Sequence, residues 1–542
     1  MTQVNDALSG SKPSASADKS VGRLGRGSVA NFGGAVLSAA TNFGVTVAIT
    51  RGMSRSDAGV FFSCTSLFLL AVAVGQLGTS TGLVYFLSRA RTLGEPQLLM
   101  GYLRAARTPV IVASFLMGIV LVVFAPVIAG WTNPQHVEAA TVYLRVLGAF
   151  TPFASIKTLN LSASRGMGTM RPTVMLEQIG RPLLQFILVS AVVLLHAIAL
   201  LPYAWAVCFV LGAAGGNRLL KQKMEKSGPR TARPRPVTRE FWTFTWPRAA
   251  ANVAQIAIQR FDIVLVGAIA GAGPAAVYTA STRFLVLGQL GNRAVSMSAQ
   301  PRLAEALARG RRSDVNHIYQ TSTAWLMIST WPIYLMFAIV GGPLLEVFGK
   351  GYSTGGRPLL ALLAVAMLIA TGCGMVDSVL NMAGRTWWNL MNVAIAFGVN
   401  LGVDLWLIPR LGILGAAIGW AAAIVTQNAF SLMMVGIKVK VHPFGRATLS
   451  VAAGSLVCFG LVPWVTLLVL GEGIRTVVVS GAIGVVLYAG FLWTFRRLLQ
   501  LQALISVKRP KKGGRRGGVA DGSSAQPEGR SQLQPQTPDD DS

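Results

Sequence analysis

Long apolar runs, repeated along the whole chain, constrain its fold more than any other feature. Over 542 residues, blocks of roughly 20 to 28 apolar residues alternate with short charged segments. Such a block, coiled as a helix, spans the ~30 Å hydrocarbon core of a bilayer. A lipid-embedded backbone has to satisfy its own hydrogen bonds, so the blocks should be helices. Only 13% of residues are charged, against about a quarter in a soluble domain. The chain therefore reads as an all-α polytopic membrane protein.

About fourteen transmembrane helices are expected, near 28–50, 58–77, 108–130, 137–163, 172–195, 199–217, 241–270, 275–298, 319–347, 358–383, 389–408, 411–436, 447–470 and 476–496. An even number puts both termini on one side. With the N-terminus inside, the outside segments hold only Arg51, Arg55, Lys350, Arg357, Arg410 and Arg475. About 35 basic residues fall inside, including Lys12, Lys19, Arg89, Arg107, Arg302, Lys438 and Arg446. Both termini are thus expected in the cytoplasm of a multi-pass cell-membrane protein. The net charge of +28 follows this distribution and forms no patch interleaved with aromatics, so no nucleic-acid partner is expected.

Residues 1–27 are polar and Ser-rich, with no short apolar region leading to a cleavage site. They read as a disordered cytoplasmic tail, not a secretory signal. The remaining boundaries are an N-lobe of helices 1–6 (28–217), a basic linker (218–240), a C-lobe of helices 7–12 (241–436), helices 13–14 (447–496) and a tail (497–542). That tail carries KRPKKGGRR at 508–516, suited to an anionic leaflet, and then a disordered remainder. Cys64, Cys208, Cys373 and Cys458 lie in apolar blocks without metal spacing, as buried single thiols do.

A shift of 217 lays AGVFFSCTSLFLL (58–70) on AAVYTASTRFLVL (275–287), matching Ala58 to Ala275, Val60 to Val277, Thr65 to Thr282 and Leu70 to Leu287. A shift of 221 pairs Leu159-Asn160 with Leu380-Asn381. Six helices separate the copies, so the halves have the same orientation. This predicts two pseudo-symmetric six-helix lobes with the substrate between them, followed by an appended helix pair.

Helix 7 carries polar residues inside an apolar span. Arg248, Asn252, Gln255, Gln259 and Asp262 follow steps of four and three and form one stripe. Arg260 is two residues from Asp262 and points to another face. The 217 shift carries the stripe to Asn31, Ser38 and Asn42 on the first helix. A central charge facing lipid costs about 2.5–3.5 kcal/mol on insertion scales, so these faces should line a wet cavity. Arg145, Lys157, Arg181, Arg260 and Arg283 also lie within spans. An excess of bases suits an anionic headgroup such as phosphate or pyrophosphate, for which arginine offers a fork of donors. Glu177 stands four residues from Arg181 and can pair with it. Asp262, Asp377 and Asp404 are candidates for a coupling Na+ or H+, or for neutralising neighbouring arginines.

No GxxxxGK[ST] or HExxH pattern occurs, outside segments are about a dozen residues or fewer, and the four histidines are scattered. Neither an enzyme nor a cofactor or metal centre is expected. A glycan polymerase would need a substantial outer loop bearing catalytic groups. A non-transporting scaffold for glycan assembly would not need a charged interior.

NLGVDLWLIPRLGILGAA (400–417) resembles a signature of polysaccharide exporters in the multidrug/oligosaccharidyl-lipid/polysaccharide superfamily. Its elements are Asn400, then Leu407-Ile408-Pro409, then Gly412 and Gly415-Ala416. Pro409 should end one helix, and the glycines should permit a tight turn and close packing. QRFDIVLVGAIAGAGPAAVYTAS (259–281) and SRSDAGVFFSCTSL (54–67) resemble further hairpins of the family. The resemblance spans roughly residues 25–500. It implies a flippase of the Wzx type, moving polyprenyl-pyrophosphate-linked oligosaccharides by alternating access for cell-surface polysaccharide. Membrane lipids, and a glycan polymerase or glycosyltransferases, are the partners expected. Lipid II flippases of the same superfamily have fourteen helices but usually a charged first helix, whereas Asn31 to Thr50 carries no charge. Drug antiporters of the superfamily typically have twelve helices and an acidic, aromatic site.

Overall fold

The computed structural model describes residues 15–225, 237–382 and 386–499. Apolar runs become helices throughout, in the order α1 Ala15–Gly52, α2 Arg55–Gly75, α3 Thr79–Thr92, α4 Pro96–Val123, α5 Ala125–Thr132 and α6 Val137–Gly166. A π-helical segment, Thr173–Gly180, leads into α7 Arg181–Leu194, followed by α8 Leu201–Glu225, α9 Thr238–Ile269, α10 Ala272–Ala308 and α11 Arg312–Val340. After a short α12, Gly342–Leu345, come α13 Ser353–Gly372, α14 Val376–Met382, α15 Thr386–Leu411 and α16 Ile413–Lys438. The chain closes with α17 Arg446–Leu456, α18 Val462–Leu470 and α19 Ile474–Thr494.

Among the described residues, 13 helices are long and apolar enough to cross a membrane. The remaining span expected from the sequence corresponds to α10, one unbroken helix of 37 residues. Its mean hydropathy is lowered by Arg283, Gln289, Asn292, Arg293 and Arg302. The fold is all-α and polytopic, as the apolar blocks require.

Three local expectations need correction. Helix α1 starts at Ala15, where a disordered tail up to residue 27 is expected. Ser-rich composition disfavours a helix only weakly, and an established helix extends at one hydrogen bond per residue. The linker expected at 218–240 is helical at both ends, since α8 runs to Glu225 and α9 begins at Thr238. Pro409 does not end its helix, because α15 continues to Leu411. The break falls at Gly412, whose φ of 57° and ψ of −131° belong to glycine. Gly415 then sits against the backbone of Leu407, where a Cβ would collide. The polybasic run at 508–516 lies outside the described residues.

In the first half, α6 packs against α2, α3, α4, α5 and α8. In the second, α13 packs against α10, α11 and α16, and α15 pairs with α16. Between the halves, α2 lies against both α9 and α10. The two segments related by the 217 shift therefore meet face to face, with Phe61 and Tyr278 both buried. Their approach is tight: a Cβ on Gly59 would overlap the carbonyl of Ala272.

Both ends of this seam are tied. At one end, Arg51 Nε donates to the Val347 carbonyl at 2.7 Å, and Arg55 Nη2 to the Lys350 carbonyl at 3.3 Å. At the other, Arg89 Nη1 meets Glu240 Oε1 at 2.9 Å, and Tyr102 donates to Glu240 Oε2 at 3.1 Å. Gly78, between α2 and α3, has φ 67° and admits the backbone of Ala249 from α9.

Candidate functional site

Lys157 of α6, Arg181 of α7, Arg260 of α9 and Arg283 of α10 line one cavity of about 310 Å³. Asn42 and Thr46 of α1, Gln76 just past the end of α2, and Gln259 of α9 add neutral polar groups, and Trp205 and Phe209 of α8 an aromatic wall. Among the described residues, Glu177 is the one acidic side chain lining the cavity. It belongs to the π-helical segment, where wide turns redirect side chains and recur at functional sites.

The first-half cations are held in a chain of contacts. Lys157 is buried, pairs with Glu177 Oε2, and lies 4.7 Å from the Phe209 ring centroid. Gly212 makes room for its stem, since a Cβ there would stand 2.8 Å from Lys157 Cδ. Arg181 Nε donates to Glu177 Oε1 at 3.0 Å, and its Nη1 to Gln185 Oε1 at 2.7 Å. Gln185 Nε2 in turn donates to the Trp205 carbonyl at 2.8 Å. The second-half cations differ. Among the described residues, neither Arg260 nor Arg283 has an ion pair, and Arg283 Nε is buried without a hydrogen-bond partner. Each feels a like charge, Arg283 that of Arg260 and Arg260 that of Arg181. Such a site favours an anion with several acceptor oxygens.

A second polar centre lies within the second half. Tyr278 donates to Asp262 Oδ2 at 2.8 Å, and Asn400 Nδ2 to Asp404 Oδ2 at 2.9 Å. The carboxyls of Asp262 and Asp404 come close enough to interact directly. All four side chains are buried. Both Oδ1 atoms lack a partner among the described residues. Two carboxyls in such contact need a proton or a cation between them.

Residues 24–307, more than half of the chain, match the family described as polysaccharide biosynthesis protein. The chain belongs to that family. Within this polysaccharide biosynthesis protein, residues 247–406 also match the MatE family. No curated protein matches the chain. Among solved structures, the lipid II flippase MurJ in an inward closed conformation aligns with a TM-score of 0.70 at 15% identity. That alignment covers 87% of this chain and 99% of MurJ. An inward-facing multidrug resistance MATE transporter aligns at 0.62 and 14% identity, covering 74% and 94%. A superfamily transporter from Pyrococcus furiosus, titled for the reverse polarity of its binding pocket, aligns at 0.54 and 14%, covering 76% and 94%. At such identities the likeness establishes the fold: this family member has the architecture of the multidrug/oligosaccharidyl-lipid/polysaccharide superfamily.

The structure sorts the residues singled out in the family member's sequence. Lys157, Arg181, Arg260, Arg283, Gln259 and Asn42 meet at the cavity. Arg145 does not; it sits on the exposed face of α6, eight residues into the helix, where a long stem can reach the interface. Ser38 lies one turn before Asn42, accepting from its Nδ2 at 3.2 Å, and is outside the lining. Asn252 and Gln255 are half-buried on α9 and also outside it. The side chain of Asn31 lies outside the described residues. Asp262 leaves the stripe's expected path: it turns into the second half to meet Tyr278 and Asp404. Asp377 is apart from that pair, accepting from Ser431 at 2.8 Å and Gln427 at 3.4 Å. It pairs with no arginine among the described residues. Tyr278 was not legible as a site residue, since it sits within an apolar run, and Gln76 was missed because it stands just past the end of one.

Proposed function

We propose that this chain flips a polyprenyl-pyrophosphate-linked oligosaccharide across the cytoplasmic membrane by alternating access, supplying cell-surface polysaccharide synthesis. The observation behind this reading is the convergence of four cations, against one carboxylate, on a cavity between the halves. A pyrophosphate presents several acceptor oxygens to such donors, and the cavity's size suits the headgroup, leaving the glycan to be admitted as the halves part. Both termini lie in the cytoplasm, as the distribution of basic segments favours. The Asp262–Asp404 pair binds the coupling H+ or Na+. The polysaccharide biosynthesis family supports the glycan class.

A second reading, lipid II as substrate, is favoured by the likeness to MurJ over nearly its whole length. Both substrates share the polyprenyl pyrophosphate that the cavity addresses. The test is translocation in proteoliposomes, with fluorescent polyprenyl-pyrophosphate oligosaccharide and lipid II offered separately. Faster flipping of the oligosaccharide supports the first reading, and faster flipping of lipid II the second. Flipping of neither rejects both.

A further inference from the structure

Resting on the headgroup reading above, we infer that Glu177 is a built-in stand-in for the substrate's anion, holding Lys157 and Arg181 until the headgroup takes them over. The geometry is that of a bridging acceptor. One carboxylate oxygen takes the ammonium of Lys157 and the other takes Arg181 Nε, so a single group engages two cations from two helices. A phosphate with its separate oxygens would occupy these donors in the same way. Lys157, buried and shut off from bulk water, needs such a counter-ion whenever the cavity is empty.

The cavity's two sides are thus prepared differently. Arg260 and Arg283 carry no counter-ion among the described residues and form the side ready to receive an anion. Lys157 and Arg181 are occupied in advance by Glu177. Substrate enters against Arg260 and Arg283, then competes with Glu177 for the other pair. On departure Glu177 recloses on Lys157 and Arg181, which weakens retention and promotes release. The carboxylate is placed to move, because it projects from the π-helical segment and about a third of its side chain is accessible, against 4% for Lys157. Glu177 is therefore a positioning residue, setting how tightly the headgroup is held.

The experiment is titration of inorganic pyrophosphate onto the full chain in detergent, with wild type, Glu177→Gln and Gln259→Lys compared. Both substitutions raise the charge lining the cavity by one, but only the first frees Lys157 and Arg181. Glu177→Gln should bind about tenfold more tightly than wild type, the scale of one charge-assisted hydrogen bond. Gln259→Lys should gain clearly less. In proteoliposomes, Glu177→Gln should lower both the half-saturating substrate concentration and the maximal rate. Equal gains in the two variants, or none in Glu177→Gln, overturn the stand-in role while leaving the headgroup site intact. If wild type binds no pyrophosphate, the headgroup reading itself fails. Should Glu177→Gln not accumulate, Glu177→Asp carries the test. It keeps the charge but draws it back by one methylene, and a gain smaller than tenfold is expected; no gain overturns the inference.

Discussion

Asp262 and Asp404 stand on helices α9 and α15, 142 positions apart in the chain, yet their buried carboxyls come close enough to interact directly. Tyr278 and Asn400 hold one oxygen of each and leave the other without a protein partner among the described residues. Replacing either acid with its amide removes the need for a bridging proton or cation. Asp262→Asn and Asp404→Asn should each abolish the dependence of translocation on an imposed H+ or Na+ gradient, read as flux with and without the gradient. Flux that still tracks the gradient in both variants would place coupling elsewhere.

Tyr278→Phe removes a hydroxyl donor and leaves Asp262 with one fewer hydrogen bond in a buried site. A loss of about 1–3 kcal/mol in stability is expected, seen as a lower unfolding temperature in detergent. The shift should vanish in the Asp262→Asn background if the hydroxyl acts through that carboxylate alone.

The cavity cations should not be equivalent to Arg145, an intramembrane arginine outside the cavity lining. Arg260→Gln with Arg283→Gln should reduce translocation by about 100-fold, two charge-assisted hydrogen bonds being lost, with normal insertion into the membrane. Arg145→Gln should retain wild-type flux, because that side chain faces away from the cavity. A defect at Arg145 equal to that of the double variant would contradict the assignment.

Close approach of α9 to the α2–α3 break gives a stability prediction. Gly78→Ala forces a left-handed residue and drives a Cβ into Ala249, for about 2–4 kcal/mol in total. Gly94 also has positive φ, 70°, but has nothing within 4 Å of its Cβ position. Gly94→Ala should therefore cost only about 1–2 kcal/mol. Thermal unfolding of the two variants separates backbone strain from crowding.

Helix type and membrane class were legible because apolar run length alone decides them, whereas thirteen of the fourteen expected spans are long and apolar enough among the described residues. The identity of four cavity cations was legible too, since an arginine or lysine inside a span is costly unless it faces water or a partner. Direction was less so. Gln259 and Arg260 both reach the cavity while Asp262 does not, and only the packing of α9 against α2 and α15 decides which side meets the cavity. Asp262 looked like part of the wet stripe because helical spacing knows nothing of Tyr278 and Asp404. Arg145 was misleading for a related reason: depth in the sequence does not reveal whether a side chain faces inward. Glu177 could be paired with Arg181 by spacing, but Lys157 reaches it from another helix, and the π-helical turns left no periodic trace.

Arg51 and Arg55 close one end of the seam by gripping carbonyl groups of residues 346–350, not their side chains. Every residue type offers that carbonyl. The closure is thus indifferent to which amino acids occupy Glu346, Val347 and Lys350, so long as the loop keeps its course. This segment can drift in sequence without unfastening the transporter, whereas the two arginines have no such freedom.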